Sequence, residues 1–147
     1  MAQATVIGFS KFKVELGNGD GPPETWTAPC GFNARALNQS KNLTEVDIPD
    51  CSDEDAATYV GREVRSMTWN ISGEGVLPEE SIEQWEEFWE SSISRSVRVT
   101  LDYPGTEVVK TGKGHLETYN QTVNRGEKLS KNIVIQGDGA LTTVITP

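Results

Sequence analysis

Hydrophobic and polar residues alternate with a period of two along most of this chain, and one stretch departs from that pattern. From Pro78 to about Ser91 the sequence reads PEESIEQWEEFWES. Ile82, Trp85 and Trp89 recur at steps of three and four, Phe88 and Ile93 widen the stripe, and the glutamates fall mostly on the other side. This predicts a helix. Pro78 suits its first position, where a missing N–H costs nothing, and Glu79, Glu80 and Glu83 lie near the positive end of its dipole. A helix of about a dozen residues is marginal alone. Ile82, Trp85, Phe88 and Trp89 are therefore expected to pack into a core.

The period-two segments predict strands. Thr5 to Leu16 is the first, with Phe12, Val14 and Leu16 opposed to Lys11, Lys13 and Glu15. Gly17 to Pro23 breaks it and reads as a hairpin turn. Glu24 to Ala28 gives a short strand with Trp26 inward, and Gly31 to Ser40 a weaker one with Phe32, Ala34 and Ala36 on one side. Glu63 to Glu74 is the clearest. Met67, Trp69 and Ile71 make its core face, and Ser66, Thr68, Asn70, Ser72 and Glu74 make a smooth polar face. Ser94 to Asp102 follows the helix. Val108 to Gln121 and Lys128 to Gln136 then form a hairpin through Asn124 to Gly126, and Leu141 to Thr146 ends the series. The pattern predicts a mainly β fold: a β-sandwich or barrel of about eight strands with one flanking helix, in a single domain over 1–147.

Between the second and third main strands lies a long excursion, Lys41 to Gly61, expected to be a loop. Loops of this length in a compact domain are usually functional or disordered. Leu43, Val46, Ile48, Tyr59 and Val60 argue against simple disorder and suit contacts with a partner. The acidic residues Asp50, Asp53, Glu54 and Asp55 invite a calcium reading. With Asp50 as first ligand, however, the sixth position is Ala56 where the turn needs glycine, and the twelfth is Gly61 where a bidentate Glu is needed. Zinc fails because Cys51 has no second thiolate or His nearby. No metal and no cofactor is expected.

Composition narrows the function further. Thirteen basic and 22 acidic residues give a net charge of −9. That excludes tight nucleic-acid binding through phosphate contacts, although an acidic surface lets DNA slide past without sticking. Cys30 and Cys51 make no disulfide scaffold and are expected to be free, mostly buried thiols in a reducing cytoplasm. The first residues, MAQATVIGFSKF, form no secretory signal, and nothing approaches a membrane span, so a soluble protein is expected. His115, the one histidine, lies in an alternating strand with no motif around it. No serine has a G-x-S-x-G setting. The sequence offers no catalytic constellation, and an enzyme is not expected.

One stretch carries a resemblance. Val46 to Leu77 contains Pro49-Asp50-Cys51 followed by acids, Arg62-Glu63-Val64, and Trp69-Asn70-Ile71-Ser72-Gly73-Glu74-Gly75. The helix with Trp85 and then Val97-Arg98-Val99 come after it. This order resembles the major tail tube proteins of long-tailed, siphovirus-like phages and of gene transfer agents. The resemblance implies a subunit of homo-hexameric rings that stack into a tube, each copy lending four strands to the lumen wall. It implies residence in the virion tail after assembly in the host cytoplasm, with no membrane insertion. The implied partners are the tape measure protein, tail terminator and tip proteins, and double-stranded DNA in transient, non-specific passage. Carried onto this chain, Ser66, Thr68, Asn70, Ser72 and Glu74 face the lumen. Leu43, Val46, Ile48, Asp50, Asp53, Asp55 and Tyr59 contact the adjacent ring. The competing reading is a carbohydrate-binding β-sandwich that uses Trp26, Trp69, Trp85 and Trp89 as a sugar platform.

Overall fold

A computed structural model of the chain describes residues 3–17 and 25–147. A 3-10 turn at Phe9–Lys11 leads into β1 (Phe12–Gly17), β2 (Trp26–Thr27), β3 (Phe32–Ile48) and β4 (Tyr59–Val76). Helix α1 (Glu79–Glu90) follows, then β5 (Arg95–Asp102), β6 (Glu107–Thr122), β7 (Ser130–Gly137) and β8 (Thr142–Thr146). Among the described residues the strands join in one sheet, ordered β2-β1-β5-β6-β7-β4-β3, with β8 also attached to β6. The expected turn at Asn18 to Pro23 lies outside the described residues.

The chain divides into two compact units, Met1–Asn38 with Asn70–Pro147, and Gln39–Trp69. In the first, β6 is the spine. One edge of its N-terminal half pairs with β5, from Asp102 opposite Glu107 to Arg95 opposite Gly114. Its other edge takes β8 along Glu107–Thr111 and then β7 from Gly114 to Thr122, with a bulge at Glu117 between Leu116 and Thr118. The sheet therefore forks. Among the described residues, β6 beyond Gly114 continues only into β7 and β4, all antiparallel, and then β3.

The core follows from the alternation. Val14, Leu16, Val97, Val99, Ile71, Ile133 and Ile135 are all buried, and α1 adds Trp85, at 0% exposure, and Phe88. The Trp85 ring meets Phe32 edge-on at 5.9 Å and stacks on Tyr119 of β6 at 6.5 Å. Burial of such rings is the main favourable term holding a short acidic helix in place. Two glycines make the room. A side chain at Gly73 would collide with the Phe32 ring, and one at Gly75 with the backbone of Gly31 to Asn33. Gly31 itself has φ of +92°, and its carbonyl accepts from the Val76 N–H at 2.9 Å.

Three expectations change here. Trp89 is 46% exposed and Ile82 only half-buried; Trp89 sits in the last turn, where α1 reaches the rim of the sheet beside Tyr119, at 6.3 Å. The first strand begins at Phe12, not Thr5, because Arg35 captures the preceding turn. Its Nη2 donates to the Phe9 carbonyl at 2.7 Å, and its guanidinium lies 4.0 Å over the Phe9 ring. Pro78 is the N-cap residue with extended backbone, one place before the first helical turn.

The second unit is a two-stranded ribbon. Within it, Asn42 Nδ2 donates to Ser66 Oγ at 2.9 Å, and Arg62 meets Glu45 at 3.4 Å, as antiparallel strands require. The segment expected as a loop from Lys41 to Gly61 is thus strand to Ile48 and again from Tyr59, with an irregular tip at 49–58. The Ile48 side chain occupies the space a Cβ at Gly61 would fill. At the tip, Asp50 and Asp53 carboxylates accept from the N–H groups of Ser52 and Asp55 at 2.8 and 3.2 Å, which is turn chemistry. Leu43, Val46, Ile48, Tyr59 and Val60 are all exposed. So is Met67, at 69%, which corrects its expected place in the core.

Candidate assembly face and lumen wall

In the unit that holds the helix, the strands β6, β7 and β4 present one face to α1 and the other outward. Register fixes which residues share the outward face. Glu74, Asn132 and Asn120 stand in one cross-strand row, Ser72, Val134 and Thr118 in the next, and Asn70, Gln136 and His115 in the third. Glu74 is the single carboxylate in these rows, and the rest is mainly amide and hydroxyl. His115 Nε2 lies 3.4 Å from Asp138 at the margin. Asn38 Nδ2 donates to Asn70 Oδ1 at 2.9 Å, tying β3 into the same surface. A shallow groove runs beside it, lined by Ala34, Ala36, Ser72, Glu74 and Asn132.

Asn70, Ser72 and Glu74 therefore share one outward surface. Ser66 and Thr68 belong to the Gln39–Trp69 ribbon, where both are exposed. Sequence reasoning missed Asn120, Asn132, Thr118 and Gln136. The signal was present in Asn132, wedged between Lys131 and Ile133, but assigning it to this face requires the pairing of β7 with β4.

On the inward side, one polar network supports the helix. The Tyr119 hydroxyl donates to Glu86 Oε1 at 3.1 Å, and Gln121 donates to the Tyr119 oxygen at 3.0 Å. Burial first, and then the Glu86 carboxylate, push the Tyr119 phenol up to about 12. Lys131, on the same face as Ile133, is 2% exposed. Its Nζ donates to the Cys30 carbonyl at 2.9 Å and lies 4.4 Å from the Phe32 ring centre and 5.4 Å from that of Trp85. Burial lowers this amine to about 8.

The tryptophans do not form a sugar platform. Trp69 and Trp85 are buried, and Trp26 is half-buried under Arg98, 4.5 Å from its ring centre. Only Trp89 is an exposed member of the four. Both cysteines are free and exposed, contrary to the expected burial. Among the described residues no group of His, Cys, Asp and Glu is placed to hold a metal ion, and no helix is long and apolar enough to cross a membrane.

Residues 9–143 match the family described as phage tail tube protein. No curated protein matches the chain by sequence. Among solved structures, a chain from the tail of an empty gene transfer agent particle, refined with C6 symmetry, superposes with a TM-score of 0.70 at 16% identity, covering 95% of this chain and 99% of that one. A chain of the native gene transfer agent virion gives 0.69 at 14%, with the same coverage. The SPP1 tail tube gives 0.65 at 10%, covering 94% of this chain and 78% of that one. These likenesses establish a shared fold.

Proposed function

The chain belongs to the phage tail tube protein family, and from that premise we propose that six copies close into a ring, and that rings stack into a conduit for double-stranded DNA. The protein is a structural component of the virion tail. Its work is done by an assembly, so what matters is how copies join and what they show to the lumen.

The observation that carries this reading is the four-stranded run β6-β7-β4-β3. Beyond Gly114, the outer edge of β6 has left β5 behind, and β3 ends the sheet on the other side. Unpaired edges invite pairing with another chain. Each neighbour in the run is antiparallel to the next, so β3 points opposite to β6. A neighbouring copy's β6 laid against β3 continues the antiparallel alternation without a break. Such a contact uses two different surfaces and closes when the rotation fits. Six copies contribute about two dozen strands to one wall.

That wall turns towards the lumen the rows of Asn, Gln, Ser and Thr, with Glu74 among them, that face away from α1. Amides and hydroxyls without clustered cations offer phosphates only neutral hydrogen bonds, and the net charge of −9 repels them. The same lumen suits the tape measure protein before DNA passes, and terminator and tip proteins close its ends. The ribbon, with its exposed Leu43, Val46, Ile48 and Tyr59 and its acidic tip, is the contact to the next ring. A two-stranded ribbon has little stability of its own, and its apolar side chains call for a cover.

Electron microscopy of the concentrated protein tests this directly. Hollow tubes about a hundred ångströms across, from six domains of this size, with six-fold rings are expected. A monomer that forms no tube at any concentration, alone or with tail partners, contradicts it.

A further inference from the structure

Trp89 is neither core nor sugar platform, and its surroundings assign it a different task. It stands 6.3 Å from Tyr119, which lies on the Leu116–Thr122 part of β6, the part whose outer edge β5 leaves unpaired. Ile93, just beyond the helix, is 73% exposed. Trp89 thus flanks that free edge on its inward side, the side on which Tyr119 stacks under Trp85. The same corner is negative. The last turn of α1 contains Glu87 and Glu90 and no basic residue, although the carbonyl end of a helix favours a cation.

The opposite edge of the four-stranded run carries the complement. On β3, the Arg35 guanidinium lies 4.0 Å from the centre of the Phe9 ring and 5.8 Å from that of Phe32. This places the Phe9–Arg35 pair on the inward side as well, because Phe32 packs on Trp85. Phe9 is 49% exposed. Arg35 Nε is buried without a hydrogen-bond partner while Nη2 is engaged by Phe9. One edge therefore bears an exposed tryptophan among carboxylates, and the other an exposed phenylalanine capped by a cation. Both lie on the same side of the sheet, so joining the edges brings them together.

We propose that Trp89 is the anchor of the joint between ring neighbours, seated on the Phe9–Arg35 pair of a second copy, with Glu90 facing that copy's guanidinium. This rests on the ring reading and deepens it by naming the side chains that lock the edges. Interface energy concentrates in a few such aromatic and arginine anchors, and a tryptophan desolvated against an aromatic ring and a guanidinium has the required chemistry.

The test compares wild-type protein with Trp89→Ala, Phe9→Ala and an equimolar mixture of the two, by sedimentation velocity and electron microscopy. Each variant alone is expected to keep the wild-type circular dichroism and to need roughly tenfold or more protein to form rings. The mixture is the sharper arm. Each variant retains the surface the other lacks, so one intact joint forms and dimers accumulate without closing. Trp89→Phe should recover part of the lost assembly. In addition, the Trp89 emission, taken as wild type minus Trp89→Phe, should shift to the blue when tubes form, a readout that does not depend on the alanine variants folding. Wild-type tubes alongside unimpaired Trp89→Ala tubes, or a Trp89 emission unchanged on assembly, overturn the joint and leave the ring standing. Wild-type protein that never assembles contradicts the ring, and the joint with it.

Discussion

Lys131 is the residue at which local chemistry costs this fold most visibly. Its amine is buried against two aromatic rings and one carbonyl, and burial lowers it to about 8 from an ordinary 10.5. Between those values the unfolded chain binds more protons at this position than the folded one, so stability should rise as pH increases from about 8 towards 10. Below about pH 8 the amine is charged in both states and adds no slope. Tyr119 acts oppositely and later. Its phenol is held to about 12, so its contribution is lost only above its unfolded value of 10. Urea denaturation of dilute protein should show the rise from pH 8 to 10 in the wild type and its absence in Lys131→Met; an identical rise in both would remove Lys131 as the cause. Gly75 makes a second residue-scale claim. A methyl there lands on the backbone of Gly31 to Asn33, which cannot swing aside, so Gly75→Ala should lose more than about 2 kcal/mol. Gly105→Ala, with open space around the position, should stay within about 0.5 kcal/mol. Thermal melts of the two variants decide this.

At the scale of elements, α1 was legible because its stripe has one period and one sharp start, and Trp85 and Phe88 lie where that stripe places them. Trp89 follows the same period and is nevertheless exposed, because periodicity gives the side of a helix and not the point at which the surface beneath it ends. The ribbon was harder to read. Its strands have no buried face within the chain, so Leu43, Val46 and Ile48 show no clean alternation, and the acidic tip gives them the look of a loop. The strand from Glu63 to Glu74 misled in the same way: Ile71 is buried but Met67 is exposed, since one alternation runs from the core into the ribbon. Deleting Asp50 to Asp55 should leave the melting of the helix-bearing unit unchanged and shorten or abolish tubes, with rings surviving. Tubes of normal length, seen by electron microscopy, would remove the tip from the contact between rings.

For the whole molecule, the hydrophobic pattern yielded the mainly β fold, with Asn70, Ser72 and Glu74 on one face of β4, and composition yielded the negative charge. The fork at β6 and the two edges left free among the described residues were not legible, because they depend on where β5 and β7 register along one long strand, which alternation alone does not fix. Leu116–Thr122 reads as an ordinary strand until the pairing of β6 with β5 is seen to end at Gly114, opposite Arg95. The central claim is that these edges are completed by identical copies, and amide hydrogen exchange measures it most directly. Comparing dilute monomer with assembled tubes, the edge-facing amides of β6 from Leu116 to Thr122 and of β3 from Phe32 to Asn38, about every second one, should become strongly protected in the tube. The β7 amides, already paired on both sides, should change little. If tubes form while both edges exchange as fast as in the monomer, the copies are joined elsewhere and the account is wrong.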